Sequence, residues 1–148
     1  MCGLAGFRNY DDAPVDASVL LRMREAMLTR GPDGAGIWLD PDGGLGLAHR
    51  RLAILDLSER GAQPMATTDG RYHVVFNGEI YNYPVLRAWC EGRGVRFNND
   101  SDTEVLLHLY ASDGHNFVQR LRGMFALALW DRQERTDPHF DSLRFDDV

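Results

Sequence analysis

The residue best placed for chemistry is Cys2, which directly follows the initiator methionine. An initiator methionine before a small side chain is usually removed, so we expect Cys2 to become the first residue, with a free α-amine beside its thiol. The thiolate is the nucleophilic form of cysteine, and an α-amine can accept its proton near neutral pH. The pair therefore contains both a nucleophile and a base. The alternative is that Cys2 is a small buried residue that leads into a strand.

A thiolate that attacks an amide needs hydrogen-bond donors aimed at the oxygen that gains charge. The dipeptide Asn77-Gly78 offers two such donors, the asparagine side-chain amide and the glycine backbone N–H. Glycine also allows close approach of a substrate, because it has no Cβ. The alternative is structural, since Asn-Gly is the preferred two-residue turn of a β-hairpin.

An amino-acid substrate carries a carboxylate and an ammonium group, which require an arginine and an acid respectively. Arg51, at the end of a predicted strand, and Asp102, at the start of a predicted helix, are the candidates. The alternatives are a solvated surface charge for Arg51 and a carboxylate that stabilises a helix N-terminus for Asp102.

The apolar and turn patterns predict the elements that position these residues. Strands are predicted over residues 3–8, 35–39, 45–50, 72–76 and 124–130. Helices are predicted over residues 16–31, from Asn82 to a stop near Gly92 or Gly94, and from a capping box that begins at Ser101. Because strands and helices do not alternate regularly, the order favours an α+β layered sandwich over a doubly wound parallel sheet.

Composition excludes several classes of function. The chain has 148 residues and a net charge of −6, which disfavours binding to nucleic acid or to an anionic membrane surface. Its apolar runs are far shorter than a transmembrane helix requires. It contains no lysine, and Cys2 and Cys90 are far apart, so neither Schiff-base chemistry nor a metal site is predicted. We expect a cytoplasmic protein with two free thiols, because no secretory signal is recognisable.

Motifs in a fixed order resemble the glutaminase domain of glutamine-hydrolysing asparagine synthetases, a class II glutamine amidotransferase of the N-terminal nucleophile hydrolase group. They are MCGLAGF, RGPDGAG, LAHRRLAILD, GAQPM, FNGEIYN, SDTEVLLHLY and LRGMFALALWD, and they span residues 2–131. The resemblance implies a four-layer αββα sandwich with mostly antiparallel sheets and the nucleophile on the first strand.

The resemblance also implies a role for each matching residue. Cys2 matches the nucleophile, its amine the base, and Asn77 and Gly78 the oxyanion donors. For the substrate, L-glutamine, Arg51 matches the group that binds the α-carboxylate. The α-ammonium would be held by Asp102 with Gly78 and Glu79, and Ile54 and Leu55 fall where the family makes main-chain contacts. The implied reaction passes through a γ-glutamyl thioester and releases glutamate and ammonia.

The match ends at Asp131, and residues 132–148 are predicted to be an acidic tail without a strand. Without the further strands of the family the sandwich would be incomplete at its C-terminus, which favours self-association through uncovered sheet edges. The chain has no pyrophosphate loop. We therefore expect no cofactor, since ATP and magnesium would belong to an absent synthetase domain or subunit that receives the ammonia.

Arg50 replaces the glutamate common at this position in the family. Adjacent strand residues face opposite ways, so Arg50 is expected to point away from the substrate. Three functions remain open at this stage: a glutaminase, a non-catalytic module that binds an amino acid or docks to a synthetase subunit, and a non-functional truncated remnant.

Overall fold

The structure of the protein is a computed structural model that describes residues 2–11, 13–53, 61–134 and 139–142. Its strands are β1 (Gly3–Arg8), β2 (Gly34–Leu39), β3 (Leu45–Arg51), β4 (Met65–Ala66), β5 (Tyr72–Ile80), β6 (Gly123–Asp131) and β7 (His139–Ser142). Its helices are α1 (Ala17–Glu25), α2 (Tyr83–Glu91) and α3 (Asp102–Asp113), and a 3₁₀ helix follows at Gly114–Arg120.

The first sheet has the strand order β1-β3-β2 and is antiparallel. Strands β2 and β3 form the predicted hairpin, in which Gly43 and Gly44 have positive φ angles that favour glycine. Helix α1 covers one face of this sheet, and its Leu20 is fully buried against Gly46 of β3. The side chains of Leu45 and Leu47 point to the opposite face.

Helix α1 ends at Glu25, several residues before the predicted stop near Gly31. The chain that follows forms turns, because its side chains are used in contacts with the first strand. Met27 packs against Gly3, and the Arg30 guanidinium donates a hydrogen bond to the carbonyl oxygen of Cys2. These contacts replace the last turns of the predicted helix.

The second sheet has the strand order β4-β5-β6-β7. Strand β5 continues beyond the predicted residue 76 to Ile80, and it pairs with β6 along its whole length. Helices α2 and α3 cover the outer face of this sheet. Helix α3 begins at Asp102, directly after the predicted cap Ser101, whose hydroxyl oxygen accepts a hydrogen bond from the Thr103 N–H. The core beneath these helices includes Val74, Phe76, Leu106, Leu109, Phe125 and Leu127.

The two sheets pack face to face. The buried side chains between them are Leu45, Leu47, Val75, Ala128 and Trp130. The layers therefore run from α1 through the first and second sheets to α2 and α3. The predicted α+β, four-layer αββα sandwich with antiparallel sheets is confirmed.

The prediction that no strand follows Asp131 is wrong. Strand β7 pairs antiparallel with residues 126–129 of β6. A strand pair is held by backbone hydrogen bonds, which do not depend on alternation of polar and apolar side chains. The polar segment therefore extends the second sheet. Within the described residues, no helix is long and apolar enough to cross a bilayer.

Candidate functional site

The predicted site residues that the structure describes lie at one end of the sandwich, where β1 begins and β3 and β5 end. This end contains a cavity of about 90 Å³, called here the Cys2 cavity. The described residues that line it are Cys2, Arg51, Gly61, Gln63, Phe76, Gly78, Glu79, Ser101, Asp102 and Thr103. The fold thus brings together five predicted residues from four separate segments of the chain: Cys2, Arg51, Gly78, Glu79 and Asp102.

The period of two along each strand explains why these side chains converge. Leu4 of β1 and Leu47 of β3 pack between the sheets, so Cys2 and Arg51 lie on the same inner faces. Arg50 lies on the outer face, as expected, where it forms an ion pair with Glu25 of α1. Of the two adjacent arginines, only Arg51 therefore lines the cavity.

Cys2 is half-buried, and its thiol is held against the chain that follows β3. The Leu52 N–H donates to Cys2 Sγ at 3.3 Å, and the thiol lies 3.7 Å from the Leu52 carbonyl oxygen. Asp33 braces the same stretch, because its carboxylate accepts the Ala53 N–H at 2.9 Å. The nucleophile candidate and the end of β3 are thus fixed together.

Asn77 and Gly78 lie inside β5, opposite Ala126 and Phe125 of β6. The alternative interpretation of this dipeptide as a hairpin turn is therefore wrong. Asn77 is half-buried and lies on the face of β5 that carries Val75, which packs between the sheets toward the side of Cys2. Asn77 is not among the described residues that line the Cys2 cavity.

The backbone N–H groups on one edge of β5 indicate the direction in which the Gly78 N–H points. On the edge away from β6, the Phe76 N–H donates to Gln63 Oε1 at 2.6 Å, and the Ile80 N–H donates to Asp102 Oδ2 at 3.3 Å. Alternate residues of a strand direct their N–H groups to the same side. The N–H of Gly78, an exposed residue, therefore faces the Cys2 cavity between these two bonds.

Position 78 requires glycine for two reasons. Its φ angle is +144°, which side-chain-bearing residues rarely adopt. A Cβ there would lie 2.1 Å from the Met124 carbonyl oxygen and 2.5 Å from the Phe125 Cα. The close approach to β6 and the exposure of the N–H thus depend on the same missing side chain.

Asp102 is 7% exposed and joins the start of α3 to the end of β5 through its bond with the Ile80 N–H. Burial raises the pKa of its carboxyl above the usual value, and the charge of nearby Glu79 acts in the same direction. The Ile80 hydrogen bond opposes this shift. A buried carboxylate with a raised pKa gains most from a cationic partner, such as the ammonium group of a substrate.

We expect Asp102→Asn to raise the KM for an amino-acid substrate at least about tenfold, because the ammonium loses a charged partner. A raised pKa in the folded state means that Asp102 favours folding below its unfolded pKa, and that this contribution is lost as the pH rises through the folded pKa. The variant should therefore be more stable than the wild type at pH 7 and equal to it at pH 3.

Initial-rate kinetics and thermal unfolding at the two pH values test this expectation. Asp100→Asn is the matched control, because the Asp100 side chain is 96% exposed two residues away. An unchanged KM in Asp102→Asn would contradict the role of the carboxylate, and a KM raised equally in both variants would assign the effect to overall charge.

Sequence reasoning missed two side chains that hold β5 next to Asn77. Gln63 accepts the Phe76 N–H, and His49 Nε2 donates to the Phe76 carbonyl oxygen at 3.1 Å. Burial lowers the pKa of His49 to about 4, so the ring is neutral at pH 7 and suited to this single donation. The only sequence signal was their presence in the motifs GAQPM and LAHRRLAILD.

Ile54 and Leu55 lie outside the described residues, so their contacts with substrate stay predictions. In the part of the chain that the structure describes, no group of three or more His, Cys, Asp or Glu side chains is arranged to hold a metal ion.

Comparisons with known proteins decide the family. The family model described as "Glutamine amidotransferase domain" matches residues 1–137. This chain belongs to the glutamine amidotransferase domain family. Asparagine synthetase [glutamine-hydrolyzing] 1 of Bacillus subtilis is 41% identical to it over 137 residues, which are 90% of this chain and 21% of that protein. This chain thus spans about a fifth of the length of such relatives.

Solved structures agree on the fold of the amidotransferase domain. Glutamine phosphoribosylpyrophosphate amidotransferase from B. subtilis matches 86% of this chain and 35% of its own, with a TM-score of 0.66 and 21% identity. A structure described as the allosteric regulatory enzyme of purine biosynthesis matches 87% of this chain and 35% of its own, with a TM-score of 0.72 and 23% identity. The domain therefore shares its fold with these two solved proteins.

Proposed function

We propose that this domain hydrolyses L-glutamine to L-glutamate and ammonia, with Cys2 as the nucleophile. The observation that carries the proposal is that Cys2, Arg51, Gly78 and Asp102 line one cavity. Family membership and the similarity to asparagine synthetases support glutamine as the substrate.

Each end of glutamine has a partner in this proposal. The Arg51 guanidinium binds the α-carboxylate, and Asp102 binds the α-ammonium with help from Glu79 and the backbone at Gly78. Main-chain groups of Ile54 and Leu55 complete the binding site. The side-chain amide then reaches Cys2, while the Gly78 N–H and the Asn77 side-chain amide donate to its carbonyl oxygen.

The reaction proceeds in two steps once the methionine before Cys2 has been removed. The α-amine takes the thiol proton, and the thiolate adds to the amide carbon, so that negative charge collects on the oxygen held by Asn77 and Gly78. The protonated amine then gives its proton to the departing nitrogen, the C–N bond breaks, ammonia leaves, and the γ-glutamyl group remains on Cys2 as a thioester. Water attacks the thioester, glutamate leaves, and the thiol regains its proton.

The ammonia would pass to a synthetase domain or subunit of the kind that the relatives' names imply, and ATP and magnesium would bind there. We also propose that the domain works in the cytoplasm. Its association with further copies through sheet edges stays a prediction.

Coupled assays of glutamate and ammonia release from the purified protein test the proposed function. Intact mass is recorded on the same sample to establish that Cys2 is the first residue, and an acid quench during turnover should trap one glutamyl group per chain. We expect equimolar glutamate and ammonia. A processed, folded protein that binds glutamine in calorimetry but releases no glutamate would contradict hydrolysis and favour the binding-module hypothesis.

A further inference from the structure

Gln63 lies two residues before strand β4, next to the edge of β5 that β4 does not reach. Strand β4 pairs with β5 only at His73 and Val74. The next N–H on that edge, at Phe76, is taken by the Gln63 side chain, whose Oε1 accepts it at 2.6 Å. A side-chain amide thus continues the sheet for one more residue, directly before Asn77.

The other end of the same amide contacts helix α3. Gln63 Nε2 lies 3.3 Å from Thr103 Oγ1, and Thr103 directly follows Asp102. A backbone N–H can only donate, so the oxygen of the amide must face Phe76 and its nitrogen must face the hydroxyl. Gln63 therefore links the strand that carries Asn77 and Gly78 to the helix turn that carries Asp102.

The main chain of Gln63 is fixed from the opposite side by the first sheet. A Cβ at Gly36 of β2 would lie 2.0 Å from the Gln63 carbonyl oxygen. Gln63 is therefore wedged between β2, β5 and α3, and it also lines the Cys2 cavity.

We propose that Gln63 is a positioning residue that sets the distance between the oxyanion donors on β5 and the ammonium-binding carboxylate on α3. This inference rests on the proposed function. Its amide acts on Asn77 and Gly78 through the Phe76 N–H, and on Asp102 through Thr103. Because displacement of a catalytic group by about 1 Å can lower the rate about a hundredfold, loss of this link should affect turnover more than folding.

Three substitutions separate the two ends of the link. Gln63→Met keeps the length of the side chain and removes both hydrogen bonds. Gln63→Glu keeps an oxygen that can accept the Phe76 N–H. Thr103→Val keeps the shape of that residue and removes only the contact with α3. Gln119→Met is the matched control, since Gln119 is exposed on the 3₁₀ helix.

We expect Gln63→Met to lower kcat for glutamine hydrolysis by about tenfold to a hundredfold. The kcat of Gln63→Glu should be at least about fivefold higher than that of Gln63→Met, because the carboxylate restores the acceptor for the Phe76 N–H. Thr103→Val should raise KM more than it lowers kcat. Alkylation of Cys2 by iodoacetamide should keep its wild-type rate in the uncharged variants Gln63→Met and Thr103→Val, because Leu52 and Arg30 hold Cys2.

Wild-type kcat in Gln63→Met would overturn the proposal, and so would a Gln63→Glu variant no more active than Gln63→Met. If Gln63→Met does not unfold cooperatively, the Thr103→Val variant provides the test. A wild-type KM in Thr103→Val would then overturn the proposal.

An amide-resonance measurement separates this proposal from the proposed function. A wild-type protein that does not hydrolyse glutamine would contradict the proposed function but not the positioning role of Gln63. In that case the amide proton of Phe76, at the end of a 2.6 Å hydrogen bond, should still shift upfield in Gln63→Met, together with those of Asn77 and Gly78. Unshifted resonances would overturn the positioning role, and Gln119→Met should leave them unchanged.

Discussion

Replacement of Cys2 with alanine should abolish glutamine hydrolysis, with a loss in kcat of at least about 10⁴-fold. The reason is chemical, because no other thiol can take its place. The second cysteine, Cys90, is 1% exposed in the core beneath α2 and lies outside the Cys2 cavity. Glutamate release by the purified variant, compared with wild type at equal protein concentration, measures the effect.

Cys90→Ala is the matched control for this prediction. It removes the other thiol and leaves a small gap in the core, so it should lower thermal stability while glutamine turnover continues. Burial raises the pKa of the Cys90 thiol, so iodoacetamide should label wild type once, at Cys2. Turnover that survives in Cys2→Ala, or that disappears equally in Cys90→Ala, would contradict the nucleophile assignment.

Strand β1 and helices α2 and α3 could be predicted from the sequence because their signals are local. The predicted strand over residues 3–8 coincides with β1. Helix α2 begins one residue after the predicted start, and it ends just before Gly92, the first of the two predicted stops. Proline near the start of α2 and the serine cap of α3 act within one turn, so neighbouring residues suffice to predict them.

The errors come from contacts between distant segments. Helix α1 stops early because Met27 and Arg30 contact the first strand. Gln63 could not be recognised, since its partners Phe76 and Thr103 are 13 and 40 residues away along the chain. No local pattern specifies that the side-chain amide of Gln63 will accept a backbone N–H of β5 beyond the residues that β4 pairs.

Local reasoning fails at the dipeptide Asn77-Gly78. Its composition favours a hairpin turn, yet pairing with β6 continues past it as far as Ile80. The backbone ladder to β6 outweighs the local turn preference. Gly78, but not Asn77, is among the described residues that line the Cys2 cavity, and the reason that glycine is needed there appears only in the packing against Met124 and Phe125.

Gly78→Ala is therefore expected to have the second-largest effect on activity. The positive φ angle of +144° costs an alanine about 1–3 kcal/mol. The new methyl group would also meet the Met124 carbonyl oxygen at 2.1 Å, so β5 must move away from β6. That movement withdraws the Gly78 N–H from the substrate oxygen, and loss of one oxyanion donor lowers kcat about 10²–10³-fold.

Gly94→Ala separates the two parts of this expectation. Gly94 also has a positive φ, of +88°, but a Cβ there would meet nothing within 4 Å. This variant should lose stability through backbone strain alone and retain its kcat. Thermal unfolding and glutaminase kinetics of both variants, measured side by side, give the comparison. If Gly78→Ala lost only as much kcat as Gly94→Ala, then the Gly78 N–H would not be a donor to the oxyanion, and Asn77 alone would have to stabilise the charge.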